Sequence, residues 1–150
     1  MIQPSRMLKR PSVMTTNYSA SQATGCESMV AEVVSELMNA ATAFHKLHLK
    51  VQGPGSFAAH KALNELYDAL PDHADALAEG YQGAAECILS YMESCPRMLS
   101  SVEEGISYIR ELCAIICQLQ SIMPYSEIVN DLDTIKATFN SSKYKLLFLK

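Results

Sequence analysis

The run Phe44-His45-Lys46-Leu47-His48-Leu49-Lys50-Val51-Gln52-Gly53-Pro54-Gly55-Ser56-Phe57-Ala58-Ala59-His60 closes one helical pattern, turns, and opens another. Upstream, Val30, Val33, Val34, Leu37, Ala41, Phe44 and His48 recur at spacings of three and four. That is the apolar stripe of an amphipathic helix, predicted from about Glu27 to Leu49, with His48 at its inner end. Two glycines and a proline between positions 53 and 55 stop it. Ser56 is the predicted N-cap of a second helix starting near Phe57. A connection this short makes the two helices antiparallel neighbours, so His48 and His60 belong at the same end of whatever they build.

Downstream, Leu63, Leu66 and Leu70 continue the second helix to Pro71, where the missing N–H predicts a kink or a new start. The pattern then resumes toward Ile88. A connecting segment is expected between Leu89 and Ser101. A third helix is predicted over Val102–Ile122, with Ile106, Ile109, Ala114, Ile116 and Leu119 inward, and Pro124 ends it. A fourth follows from Ser126 toward Phe148 on Ile128, Leu132, Ile135, Phe139 and Leu146. Four long helices without a strand signal read as an all-α antiparallel four-helix bundle over residues 25–150.

A chain of 150 residues with 49% hydrophobic content fits one core. Residues 1–24 are polar and contain Arg6, Lys9 and Arg10 but no Asp or Glu, so they read as a flexible basic tail. The net charge of −4 does not suit an ordinary DNA-groove binder. No stretch is apolar and long enough for a membrane span, and no secretory signal is recognisable, so the expected setting is cytoplasmic. Five cysteines without CxxC spacing read as buried soft hydrophobes of a reducing compartment.

Chemistry is signalled between residues 45 and 79. All four histidines, His45, His48, His60 and His73, share it with Glu65, Asp68, Asp72, Asp75 and Glu79. Mixed imidazole and carboxylate donors suit iron, zinc or manganese. Asp75 and Glu79, four apart, aim two carboxylates from one helix face. They lie roughly 22 and 28 Å beyond His60 on a straight helix at 1.5 Å per residue. One chain therefore does not bring both pairs to one ion. Either the pairs do different jobs or a second subunit supplies the other half. The plain alternative is a set of satisfied core histidines and solvated carboxylates in a helical adaptor. Asp68 and Asp72, another pair four apart, read as a solvated face.

The segment His48 to His60 resembles the hallmark of the Dps miniferritins: a His before a Trp, a Val-x-Gly turn, a Phe, and a second His twelve residues after the first. Glu65-Leu66-Tyr67 and His73-Ala74-Asp75-Ala76-Leu77-Ala78-Glu79 also match, and the resemblance covers about residues 40–83. It implies a ferritin-like bundle assembled from two-fold dimers into a hollow dodecamer. It further implies a ferroxidase centre at the dimer interface, with His48 and His60 from one subunit and Asp75 and Glu79 from its neighbour. Iron would be the metal, oxidised by preference with hydrogen peroxide and stored as ferric mineral, protecting DNA from oxidative damage. The basic tail, through Arg6, Lys9 and Arg10, would bind DNA non-specifically and associate the particle with the nucleoid. Three positions depart from the family. Leu49 stands for Trp, Gly80 for Arg, and Asn64 for an Asp ligand, leaving a neutral amide oxygen as the metal donor. Such departures fit a divergent branch, such as a phage-encoded one, or a structural, DNA- or virion-associated shell with a degenerate centre.

Overall fold

The computed structural model of the protein describes residues 19–149, with side chains from Gly25 onward. The basic positions Arg6, Lys9 and Arg10 lie outside the described residues. Four helices account for the bundle: α1 (Ser19–His48), α2 (Ser56–Ala85), α3 (Val102–Ile122) and α4 (Ser126–Phe148). Helix α1 begins at Ser19, ahead of the expected Glu27 and inside the predicted tail. Ala and Gln favour the helix there, and no proline interrupts it before the turn.

The α1–α2 turn depends on backbone that only glycine adopts cheaply. Gly53 and Gly55 have φ of 86° and 79°. The cap of α2 is Gly55 and not Ser56, which is already helical. The predicted break at Pro71 does not occur, and α2 runs unbroken through it. An interior proline costs roughly 3 kcal/mol relative to alanine. Here its ring sits on the solvent face, where the carbonyl of Tyr67, left without its N–H, can take water. On the opposite face Leu66, Leu70, Ala74 and Leu77 are fully buried. At about 1.5–3 kcal/mol for each large side chain, their burial outweighs the loss. Helix α2 ends at Ala85 rather than Ile88, with Glu86 left-handed as its cap.

Helix α3 is started by Ser101, whose Oγ accepts from the Glu104 N–H (3.2 Å), while Glu104 Oε2 accepts from the Ser100 N–H (2.7 Å). The Ser-x-x-Glu spacing of a capping box is present, with the carboxylate taking the N–H of the residue before the cap. Ala114, expected inward, is exposed. The buried stripe runs instead through Tyr108, Ile109, Leu112, Ile116 and Leu119.

Packing joins α1 to α2 and α3, and α4 to α2 and α3. Glu65 meets Lys145, His73 meets Thr138, and Tyr81 meets Tyr125, so α2 and α4 run antiparallel. Leu47 lies against Gly105, Phe44 stacks on Tyr108 at 5.6 Å, and Val33 and Leu37 lie near Leu112 and Ile116, so α1 and α3 do too. Every neighbouring pair is thus antiparallel, and residues 86–101 must run the length of the bundle to join α2 to α3. One long crossover of this kind is the connectivity of ferritin-like bundles.

The crossover is held by buried Leu89 and Leu99. It is also held by an Asn39 Nδ2 bond to Ser94 Oγ (2.7 Å) and by Arg97, which pairs with Glu111 (2.6 Å) and lies 4.3 Å from the Tyr108 ring centre. The ion pair is half-exposed and contributes about 1 kcal/mol or less. The two leucines are the stronger anchors.

Two glycines mark close helix approaches. A Cβ on Gly105 would sit 3.0 Å from Leu47 Cδ2, and one on Gly80 would sit 3.0 Å from Ile128 Cδ1. Gly80, where the resembled family has arginine, is therefore a contact point between α2 and α4. Of the five cysteines only Cys26 is fully buried, while Cys95 and Cys117 are exposed, which corrects the expectation of uniformly buried thiols. The crossover and the outer face of α3 carry those two to solvent.

Candidate metal centre

The apolar stripe of α1 delivers His48 to the end of the bundle with only 7% of its surface exposed. The glycine turn then brings the chain back so that His60, in the second turn of α2, lies against it. The two Nε2 atoms are 3.1 Å apart, and the rings stack with centres 3.9 Å apart at 29°. His60 Nδ1 is 3.3 Å from the His48 carbonyl oxygen. A carbonyl only accepts, so Nδ1 carries the proton and His60 Nε2 keeps its lone pair. The N···N contact then holds with a proton on His48 Nε2. His48 Nδ1 is left buried without a hydrogen-bond partner.

Burial, followed by the proximity of His60 and His45, pushes the His48 pKa below its usual 6.5. A neutral imidazole is what a cation requires of its ligand. His60 itself is exposed and opens on a surface groove lined by Phe57, Lys61, Asn64 and Glu65.

Neighbouring side chains build outward from this pair. Tyr67 presents its edge to His48 at 5.1 Å and stacks on His45 at 4.0 Å and 10°. Its hydroxyl donates to Asn64 Oδ1 (2.8 Å), and Asn64 Nδ2 donates to Asp68 Oδ2 (2.7 Å). Asp68, read from sequence as simply solvated, is thus tied to the residue one turn before it. Tyr67 was missed as part of the site, because a tyrosine on a helical stripe is indistinguishable by spacing from a core residue.

The remaining candidates are placed elsewhere. His73 sits 2.8 Å from Thr138 Oγ1 and joins α2 to α4. Burial lowers its pKa, against the opposing pull of Asp72 and Asp131. Asp75 and Glu79 are exposed at the far end of α2 and make no hydrogen bond or ion pair among the described residues. Their positions on the helix fall on the same outward face as His60, Asn64 and Asp68. Among the described residues no three His, Cys, Asp or Glu side chains of one chain gather around a common point. One chain thus holds a histidine pair and a separate carboxylate pair.

Charge follows the same division. Lys46, Lys50, Lys61, Lys143 and Lys145 cluster toward the histidine end, beside Glu65, Glu103 and Glu104. The far end, residues 25–33, 72–88 and 114–131, carries Glu27, Asp75, Glu79, Glu86 and Glu127 among its acids and no Lys or Arg.

Both depressed histidines make stability depend on pH. The folded chain resists a proton that the unfolded chain accepts, so stability is fully present above about pH 6.5 and is lost as pH falls through the folded-state values. Thermal melts should give a lower Tm at pH 5 than at pH 7, with a smaller difference in a His73→Gln variant. A Tm flat across that window would contradict this.

Residues 48–146 match DUF5856, described as a family of unknown function. The chain belongs to the DUF5856 family. The matched segment of this DUF5856 chain begins at His48 and takes in His60, Asn64, Tyr67, Asp75 and Glu79. No curated protein and no solved structure matches it. Among its described residues no helix is long and apolar enough to cross a membrane.

Proposed function

We propose that this chain is a Dps-like miniferritin that binds ferrous iron between two subunits and oxidises it. The observation that carries the reading is the contact of His48 and His60 at one end of α2, with Asp75 and Glu79 unpaired on the same outward face at its other end. A two-fold axis across the middle of α2 would bring the histidines of each subunit to the carboxylates of the other. Complementary charge at the two ends of the bundle supports that antiparallel pairing. Two imidazoles and two carboxylates form a donor set suited to ferrous iron, with zinc and manganese as competitors.

In the oxidation each ferrous ion loses one electron. Two ferrous ions together supply the electron pair that, with two protons, cleaves hydrogen peroxide to two waters. Ferric product would collect in a cage of such dimers, a dodecamer by resemblance, in the cytoplasm. Arg6, Lys9 and Arg10, multiplied over the copies of a cage, would attract DNA multivalently.

Ferrous loading with peroxide tests the activity. Ferric absorbance should rise well above the buffer rate and fall to it in His60→Ala, an exposed position whose loss leaves the core intact. A wild-type rate equal to buffer would reject the enzyme. It would leave a second reading, a structural shell with a degenerate centre, which the hydrogen-bonded state of Asn64 favours.

A further inference from the structure

Asn64 stands one helical turn after His60, where the resemblance places a second carboxylate ligand, and both ends of its amide are hydrogen-bonded. Tyr67 Oη donates to its Oδ1 at 2.8 Å, and its Nδ2 donates to Asp68 Oδ2 at 2.7 Å. Only one orientation of the amide satisfies both partners, because a carboxylate accepts and cannot donate. Tyr67 is itself held, face against His45 and edge against His48. The chain Tyr67–Asn64–Asp68 therefore fixes the amide oxygen toward the phenol. A cation there would compete with the Tyr67 hydroxyl for a neutral oxygen, a weak ligand for iron. Asp68 is occupied at one oxygen by the same amide, and Glu65, which lines the groove beside His60, is paired with Lys145.

We infer that the His48–His60 centre takes a single divalent cation per chain, the second position being closed by the Tyr67–Asn64–Asp68 hydrogen-bond chain. This rests on the proposed inter-subunit site and narrows it. The donors left are the two imidazoles, once a cation displaces the proton between their Nε2 atoms, and the partner's Asp75 and Glu79, four in number, which is the set a single four-coordinate ion uses.

The test is a titration of the full-length assembled protein with Co²⁺, a spectroscopic stand-in for ferrous iron. Exposed Cys95 and Cys117 can also take cobalt. The count is therefore the difference between wild type and His60→Ala, read from the visible bands of nitrogen- and oxygen-bound cobalt apart from the near-ultraviolet thiolate bands. The expected result is about one cobalt per chain, rising to about two in Asn64→Asp, which restores a carboxylate at the same size. Two per chain in wild type would overturn the single-ion inference while leaving the inter-subunit site standing. None per chain would overturn both. An Asn64→Asp protein of unchanged helix content that stays at one would remove Asn64 as the closing residue.

Discussion

Mixing His60→Ala chains with Glu79→Gln chains restores about a quarter of the wild-type iron oxidation, although neither variant is active alone; this is the expected result if the centre is shared across a two-fold axis. In a mixed dimer one centre receives both substitutions, and the other draws intact histidines from one chain and intact carboxylates from its partner. Random association makes half the dimers mixed, and half of their centres are whole. Both substituted positions are exposed, so neither should disturb folding. The subunits must be mixed before assembly, by co-expression or joint refolding, and rates taken from ferric absorbance under peroxide. A mixture as inactive as its components would rule out the shared centre. Activity retained by either variant alone would do the same for the residue concerned. The experiment is decisive because no arrangement within a single chain yields complementation. His60 and the Asp75–Glu79 pair are held apart by the rigid α2 between them.

Phe44→Ala should destabilise the bundle by about 3–5 kcal/mol, the range for emptying a buried aromatic site. Phe44 is fully buried, stacks on Tyr108, and lies in the narrow gap where Gly105 lets α3 approach α1. Helices so close have little freedom to collapse further into the void, so the upper part of the range is expected. Against a total stability of about 5–15 kcal/mol, this could leave the protein barely folded. Urea denaturation followed by helical circular dichroism measures it as a fall in the midpoint with little change in slope. A loss under about 1 kcal/mol would show that the α1–α3 contact is not a main support of the fold. The variant also separates scaffold from site. His48 lies one turn beyond Phe44 on the same stripe, so cation binding should weaken along with stability.

Much of the architecture was readable along the chain because it rests on local rules. The three- and four-residue spacing of Val30, Val33, Leu37, Phe44 and His48 specifies a helix and its inward face. Gly53-Pro54-Gly55 specifies where it must stop. Antiparallel contact between α1 and α2 follows from so short a turn, and with it the meeting of His48 and His60.

Local rules failed where packing across the bundle outweighed them. Pro71 should end a helix, but leucines buried against α1 and α4 carry α2 through it. Ala114 looked inward by composition, while the crossing of α3 against its neighbours turned it to solvent.

The centre divides in the same way. The candidate donors and the separation of the two pairs along α2 are legible in the sequence alone, because donor chemistry and helical rise are properties of single residues and one helix. The tertiary structure decided which donors are free. It buried His48 and so lowered its pKa, gave His73 to Thr138 and His45 to Tyr67, and tied Asn64 between Tyr67 and Asp68. Hydrogen bonds and burial depend on neighbours across the turn and across the bundle, and residue spacing carries no record of whether a donor's lone pair is already taken.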